Sequence, residues 1–282
     1  MKCAWNELLK LVPLWMREDV DKYGSCSLQE LRLRVGQPPK LQTKSCTTTI
    51  TGMVKKEDLN YVLNAATKYS PWAAGSIAHG YITAVGGHRI GVCGDVVINK
   101  GMITSIQNVT SINIRVARDF MGIGAKIPRS KGSILMIGAP GSGKTTLMRD
   151  LIRQISENEC INVGVVDERG ELCPSVNGEP CFYLGPNTDV LNGCSKDQGI
   201  DMLLRTMNPG CIAVDEITAE ADCCALVRAG WCGVRLLATA HAASLNDLLS
   251  RPVYRTIMDK NLFETLIIME QDKSWSITRL PI

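Results

Sequence analysis

Ser133-Ile-Leu-Met-Ile137 runs straight into Gly138-Ala-Pro-Gly-Ser-Gly-Lys-Thr145. The first five residues read as a buried strand, and the next eight fit GxxxxGK[ST], with a helix expected to open near Lys144. Strand, glycine loop, lysine, hydroxyl and helix in that order are what a phosphate-binding loop needs. Glycines let the backbone close around phosphate oxygens, while loop amides and the helix N-terminus face the negative charge. Candidate binding residues are therefore Gly138, Ala139, Pro140, Gly141, Ser142, Gly143, Lys144, Thr145 and Thr146. Lys144 would reach the β/γ-phosphates and Thr145 would hold Mg²⁺. The alternative is a glycine-rich turn without a ligand.

Outward from the loop, three further apolar runs end in polar side chains. Cys211-Ile-Ala-Val-Asp-Glu216 delivers two carboxylates to the carboxyl end of a strand, where open α/β sheets bind ligands. Asp215 is the candidate to steady the ion, and Glu216 the candidate to orient and polarise water. Val165-Val-Asp-Glu-Arg-Gly-Glu171 offers Asp167 as a metal candidate and Glu168 as a catalytic one; the alternative is a surface turn held by an Asp167/Arg169 pair. Leu236-Leu-Ala-Thr-Ala-His241 ends in a histidine that is either a γ-phosphate sensor or structural.

Between these strands lie helical stretches, from Lys144, near Asp201 to Met207 and near Ala221 to Ala229. Alternating helices and nearly continuous apolar strands predict a parallel sheet covered on both faces. The fold class is α/β, a RecA-like parallel-sheet phosphate-loop domain.

The first part of the chain has a different texture. Leu31-Arg-Leu-Arg-Val35 alternates as a half-exposed strand, and Lys56 to Tyr69 has helical spacing that ends at Ser70-Pro71. His88 to Ile98 and Met102 to Ile106 flank Asn99-Lys-Gly101, a hairpin signal in which Asn and Gly take the positive φ. Ser111 to Ala117 alternates again. A smaller α+β domain with an antiparallel sheet is expected over 1–125, followed by the phosphate-loop domain over 126–282. The boundary is placed near Lys126, within the glycine-rich run Asp119 to Gly132. Trp5 to Met16 has the spacing of an amphipathic helix that packs on its own domain or docks on a partner or membrane surface.

Composition excludes several classes. With 282 residues, 45% hydrophobic and 21% charged, the chain is neither disordered nor fibrous, and two domains are expected. A net charge of +3 and 5% aromatic residues argue against a nucleic-acid stacking surface. No run approaches the ~20 apolar residues of a membrane span, and Glu7, Lys10 and Pro13 interrupt any leader-like segment. The twelve cysteines contain no CxxC, so they read as reduced, mostly buried small hydrophobes of a cytosolic protein rather than zinc ligands. His79 and His88 lack partners and read as surface or packing residues.

In this order, the phosphate loop, Asp167-Glu168, Arg205 ahead of Asn208-Pro-Gly-Cys-Ile-Ala-Val-Asp-Glu216, and Gly230-Trp-Cys-Gly with Ala238-Thr-Ala-His-Ala242 resemble secretion-superfamily ATPases. Their counterparts are the Walker A, Asp box, Walker B and His box of enzymes that drive type II and type IV secretion and pili. Glu30-Leu-Arg-Leu-Arg-Val-Gly-Gln-Pro38, Gly86-Gly-His-Arg-Ile-Gly-Val-Cys-Gly94 and Thr110 to Arg118 resemble the stage III sporulation AA family over nearly the whole chain.

The resemblance implies a Mg²⁺-dependent, ATP-hydrolysing motor that powers or assembles a transenvelope channel during endospore formation. It implies a homo-oligomeric ring, a hexamer, that is cytoplasmic and peripheral to the membrane on the mother-cell side, with channel membrane proteins as partners and no nucleic acid. Family members place nucleotide between two domains, so Arg115 and Arg118 are candidates to approach phosphates; the alternative is surface salt bridges. ATP rather than GTP also comes from the resemblance, no guanine-reading Asn/Thr-Lys-x-Asp motif being present. Two departures stand out: Trp231 occupies the place of a second His-box histidine, and the zinc module of some members is absent. The other readings are an ATP-binding ring scaffold without sustained hydrolysis and a nucleic-acid-dependent ATPase.

Overall fold

The computed structural model describes residues 1–67, 80–127, 132–176 and 178–280. The chain divides into two compact units, Met1–Asp119 with Val176–Cys181, and Phe120–Ser175 with Phe182–Ile282. The division falls after Asp119 rather than at Lys126, for a local reason. The amides of Gly122 and Gly124 donate to Oδ1 and Oδ2 of buried Asp150, both at 2.8 Å, which ties the glycine-rich run to the second unit.

The first unit opens with α1 (Trp5–Leu11) and α2 (Leu14–Asp21), followed by α3 (Gly24–Ser27). The single amphipathic helix expected over Trp5 to Met16 is two helices, because Pro13 lacks the N–H that would continue the first. Leu8, Val12, Met16 and Val20 are buried in this unit's own core, so the face packs at home.

A six-stranded antiparallel sheet follows, built from β1 (Leu28–Arg34), β2 (Lys40–Thr43), β3 (Thr47–Thr49), β4 (Tyr81–Thr83), β5 (Arg89–Asn99) and β6 (Met102–Arg115). Its order is β3-β2-β1-β6-β5-β4, and α4 (Lys56–Thr67) contributes Leu59 and Val62 to the core. The expected end of that helix at Ser70-Pro71, and His79, lie outside the described residues. Met102–Ile106 and Ser111–Ala117, read as separate strands, belong largely to one long β6. In the β5–β6 turn the positive φ falls on Lys100 (50°) and Gly101 (78°), not on Asn99. His88 is fully buried: its Nε2 faces Ala4 O at 3.0 Å, while Nδ1 accepts the Ala117 amide at 3.2 Å.

The second unit carries β7 (Ile134–Gly138), α5 (Lys144–Asn158), β8 (Val163–Asp167), the short pair β9 (Ser175–Val176) and β10 (Glu179–Pro180), and β11 (Thr188–Asn192). It continues with α6 (Lys196–Thr206), β12 (Cys211–Val214), α7 (Glu220–Trp231), β13 (Arg235–Ala240), α8 (Leu245–Ser250), α9 (Pro252–Asp259), β14 (Thr265–Met269) and β15 (Trp275–Arg279). Its seven-stranded sheet runs β11-β8-β12-β13-β7-β14-β15, parallel except for β15, which pairs antiparallel with β14.

The α/β fold is thus a mixed sheet rather than a wholly parallel one. β13 lies between the phosphate-loop strand β7 and the acidic strand β12, which places all three carboxyl ends side by side. Apolar side chains fill both faces, Leu135, Ile137 and Val214 on one and Met136, Val165 and Ala213 on the other. Helix α6 begins at Lys196, five residues before the expected start, after Ser195 in an extended conformation.

The cysteines correct one expectation. All twelve are unbridged, yet only Cys173, Cys211 and Cys223 are buried and six are exposed. Burial pushes the Cys211 and Cys223 thiols up to about 12. Among the described residues no helix is long and apolar enough to cross a membrane.

Candidate nucleotide site

The loop between β7 and α5 turns on glycine. A Cβ at Gly138 would lie 2.5 Å from Met269 O and 2.7 Å from Ser142 Oγ, so no side chain fits there. Gly143, at φ 103°, caps the start of α5 in a conformation that other residues rarely adopt. Pro140 and Gly141 form the exposed lip, and Thr146 is half-buried in the first helical turn. Ser142 Oγ is buried without a hydrogen-bond partner, an orphaned polar atom inside the cradle.

Lys144 is 6% exposed. Its Nζ donates to Gly138 O at 2.7 Å and to Ala139 O at 3.1 Å, and lies 3.2 Å from His241 Nδ1. Burial lowers its pKa, and the nearby Asp215 and Glu216 charges oppose that shift. One residue on, Thr145 Oγ1 donates to Asp215 Oδ2 at 2.8 Å, bringing the loop hydroxyl to the end of β12.

Thr239, on the intervening β13, completes this corner. Its Oγ1 donates to Asp215 Oδ1 at 2.6 Å and accepts the Glu216 amide at 2.7 Å, so one buried hydroxyl fixes both members of the acidic pair. Burial pushes the Asp215 carboxyl up, and the two hydroxyl donors pull it down.

Glu216 has left-handed backbone, φ 51°, the sort of local strain found at functional positions. Its Oε2 pairs with Arg169 Nη1 at 2.8 Å and its Oε1 with His241 Nε2 at 3.1 Å. A lysine ammonium only donates, so its bond to Nδ1 assigns the His241 hydrogen to Nε2, which donates to Glu216.

Asp167 stands apart from this set. Its carboxylate accepts the amides of Glu171 (2.8 Å), Leu172 (3.0 Å) and Cys173 (2.8 Å), shaping the loop after β8. Burial raises its pKa, and these three amides oppose that shift. Arg169, named above as the alternative partner of Asp167, reaches Glu216. Buried Arg149 on α5 holds the same loop from the far side, Nε donating to Leu172 O at 2.8 Å and Nη2 to Glu171 O at 2.9 Å. Glu168 pairs with Lys196, a 3% exposed lysine on α6 that also lies 3.9 Å from Asp222.

In the first unit, the Arg118 guanidinium donates to the carbonyls of Ser25 (2.9 Å) and Leu28. Arg115 makes a long 3.7 Å pair with Glu30 and is 63% exposed.

Sequence reasoning missed Thr239, Lys196 and the Glu216 partner of Arg169. A hydroxyl interrupting an otherwise apolar strand next to an acidic strand end was the one available signal for Thr239.

The donor set fits a Mg²⁺-nucleotide. Among the described residues no group of three or more His, Cys, Asp or Glu side chains could hold a metal ion. One hydroxyl and one carboxylate leave most of the coordination to phosphate oxygens and water, which is how Mg²⁺ is commonly bound at phosphate sites.

The family described as "Sporulation stage III, protein AA" matches residues 7–279. The chain belongs to this family. This sporulation stage III AA family member is 31% identical over 281 residues to the stage III sporulation protein AA of Bacillus subtilis, covering 95% of this chain and 92% of that one. Its fold is shared with a solved ATPase and a solved pilus motor. The Legionella pneumophila ATPase DotB superposes with a TM-score of 0.63 at 16% identity, over 95% of this chain and 80% of that one. The pilus retraction motor PilT with bound ADP gives 0.63 at 16% identity, over 89% and 76%.

Proposed function

We propose that the protein is a Mg²⁺-dependent ATPase, the motor of a secretion-like transenvelope channel in sporulating cells. The observation that carries this reading is the Thr145–Asp215 hydrogen bond of 2.8 Å, with Lys144, Glu216 and His241 around it.

Phosphoryl transfer asks the protein mainly for positioning and charge compensation. The loop amides and Lys144 hold the phosphates. Thr145 and Asp215 would hold Mg²⁺, which when bound would supply charge compensation for the phosphates. Glu216, fixed by Thr239, orients the attacking water and draws on its proton, while His241 senses the terminal phosphate. With both oxygens accepting from three backbone amides, Asp167 fits the role of loop organiser better than that of ion ligand, and Glu168 with Lys196 braces the neighbouring strand end.

In this reading the protein works as a homo-oligomeric ring, a hexamer, on the cytoplasmic, mother-cell side of the membrane, held there by channel membrane proteins. Arg115, exposed at the end of β6, is the arginine proposed to approach phosphates. Family membership and the secretion-ATPase fold support the assignment.

The test is ATP turnover per molecule against protein concentration, with Mg²⁺. A rate that rises with concentration, vanishes in Lys144→Ala and falls at least ~100-fold in Glu216→Gln with ATP still bound is expected. Wild-type turnover in Glu216→Gln would overturn the role given to that residue.

A further inference from the structure

Four side chains around the place of a terminal phosphate, Lys144, His241, Glu216 and Arg169, are already paired within the protein. Lys144 Nζ is turned onto the carbonyls of Gly138 and Ala139 and toward His241, and His241 in turn holds Oε1 of Glu216. Arg169 holds the other oxygen, at 2.8 Å. Glu216 is thus bracketed between an imidazole N–H and a guanidinium, which between them occupy both of its oxygens.

The mobility of these parts is unequal. Asp167 and Arg149 anchor the loop that carries Arg169 from two sides, and the Thr239 hydroxyl fixes the Glu216 amide. The Arg169 side chain, 51% exposed, can change partner without opening the core, and the Glu216 carboxylate, 26% exposed, can be left behind. A guanidinium given the choice between one carboxylate and a more highly charged phosphate forms its stronger charge-assisted bonds with the phosphate.

We infer that Arg169 exchanges between Glu216 and the terminal phosphate of a bound nucleoside triphosphate. The ion pair holding Glu216 at rest thereby becomes a contact that distinguishes triphosphate from diphosphate. This inference rests on the nucleotide reading above and extends it to a positioning residue. Glu216 is released toward water only when a third phosphate is present, which ties its activation to recognition of the uncleaved substrate.

The experiment is equilibrium binding of Mg²⁺-ADP and of a non-hydrolysable ATP analogue to full-length wild type, Arg169→Ala, Glu216→Gln and the double variant. A charge-assisted contact is worth about a factor of ten or more, so Arg169→Ala is expected to weaken analogue binding roughly tenfold and ADP binding less than about twofold. Glu216→Gln removes the competitor for Arg169. It should tighten analogue binding about fivefold in the wild-type background and no more than about twofold beside Arg169→Ala.

Arg169→Lys, which keeps the charge but not the planar fork, should recover part of the selectivity and guards against misfolding of the alanine variant. Equal weakening of both nucleotides by Arg169→Ala, or the same effect of Glu216→Gln in both backgrounds, overturns the inference and leaves the ATPase reading intact. Failure of wild type to bind either nucleotide overturns the ATPase reading itself, and this inference with it.

Discussion

In the first unit, Leu31 and Leu33 of β1 are buried while Glu30 and Arg32 between and beside them keep partial access to solvent. In the second, β7, β8 and β12 are buried at every position. Alternation uses one face of a sheet for a core, whereas continuous burial uses both and leaves only the strand ends for polar work. Polar groups of the first unit accordingly serve its own architecture, as Arg118 does on the Ser25 and Leu28 carbonyls. In the second unit they gather at the carboxyl ends of β12 and β13, where Thr239, Asp215, Glu216 and His241 form one hydrogen-bonded corner with the loop.

The strongest challenge to that contrast is Thr239→Val, which keeps the shape of β13 and removes its hydroxyl. Turnover is expected to fall at least ~10-fold, because Asp215 loses a donor and the Glu216 amide loses its acceptor. A melting curve close to wild type would confirm that the loss is local; unchanged turnover would break the claim that this hydroxyl sets the acidic pair.

A second comparison separates the two arginines of β6 and its exit. Arg118→Ala should lower the stability of the first unit by ~1–3 kcal/mol, the cost of stripping a charged donor from two carbonyls. Arg115→Ala should leave the melt nearly unchanged and reduce turnover at ring-forming concentrations. Thermal melts paired with turnover assays decide it, and equal effects of the two variants would dissolve the distinction.

The smallest effect concerns pH, and here the units have opposite signs. Burial lowers the His88 pKa from 6.5. The stability of the first unit is therefore full above that value and declines as pH falls through the 6.5 region and below, where folding must keep the ring neutral. Asp215 is pushed up from 3.8 by burial, so its contribution is most favourable below that value and is lost as pH rises. Asp215→Asn should raise the melting temperature at pH 7 by roughly 2–4 °C, the response to ~1 kcal/mol, with the gain shrinking near pH 4. A pH-independent gain would mean that burial of the charge is not its source. His88→Gln should flatten the acid-side decline of the first unit in a hydrogen-exchange profile.

Much of this was legible in the sequence because the decisive signals are local. Gly138 to Thr145 carries its own conformational requirements, and the runs ending at Asp167, Glu216 and His241 announce strand ends without help from the rest of the chain. What escaped depends on residues distant in sequence. Arg169 reaches Glu216, 47 positions away, while the backbone amides of 171–173 hold Asp167. Lys196 has no partner signal among its sequence neighbours; Glu168 and Asp222, 28 and 26 positions away, converge on it in the fold. Strands β14 and β15 went unread since no motif marks them, and the antiparallel turn of β15 is fixed by the short connection from Met269 to Trp275.

The place of β13 has a consequence for how the molecule is made. The phosphate loop and the acidic pair are complete once the ribosome has passed Glu216, yet their strands are not neighbours, and the strand that joins them ends at Ala240. A nascent chain therefore holds both halves of the site before it holds the site. Insertion of a central strand between two waiting ones is a non-local closure, slow to form and dependent on sequence still to come. In the proposed ATPase reading, nucleotide would stabilise this unit only after that closure, so ligand-dependent protection during synthesis should switch on with the emergence of residues 235–240 rather than with either motif.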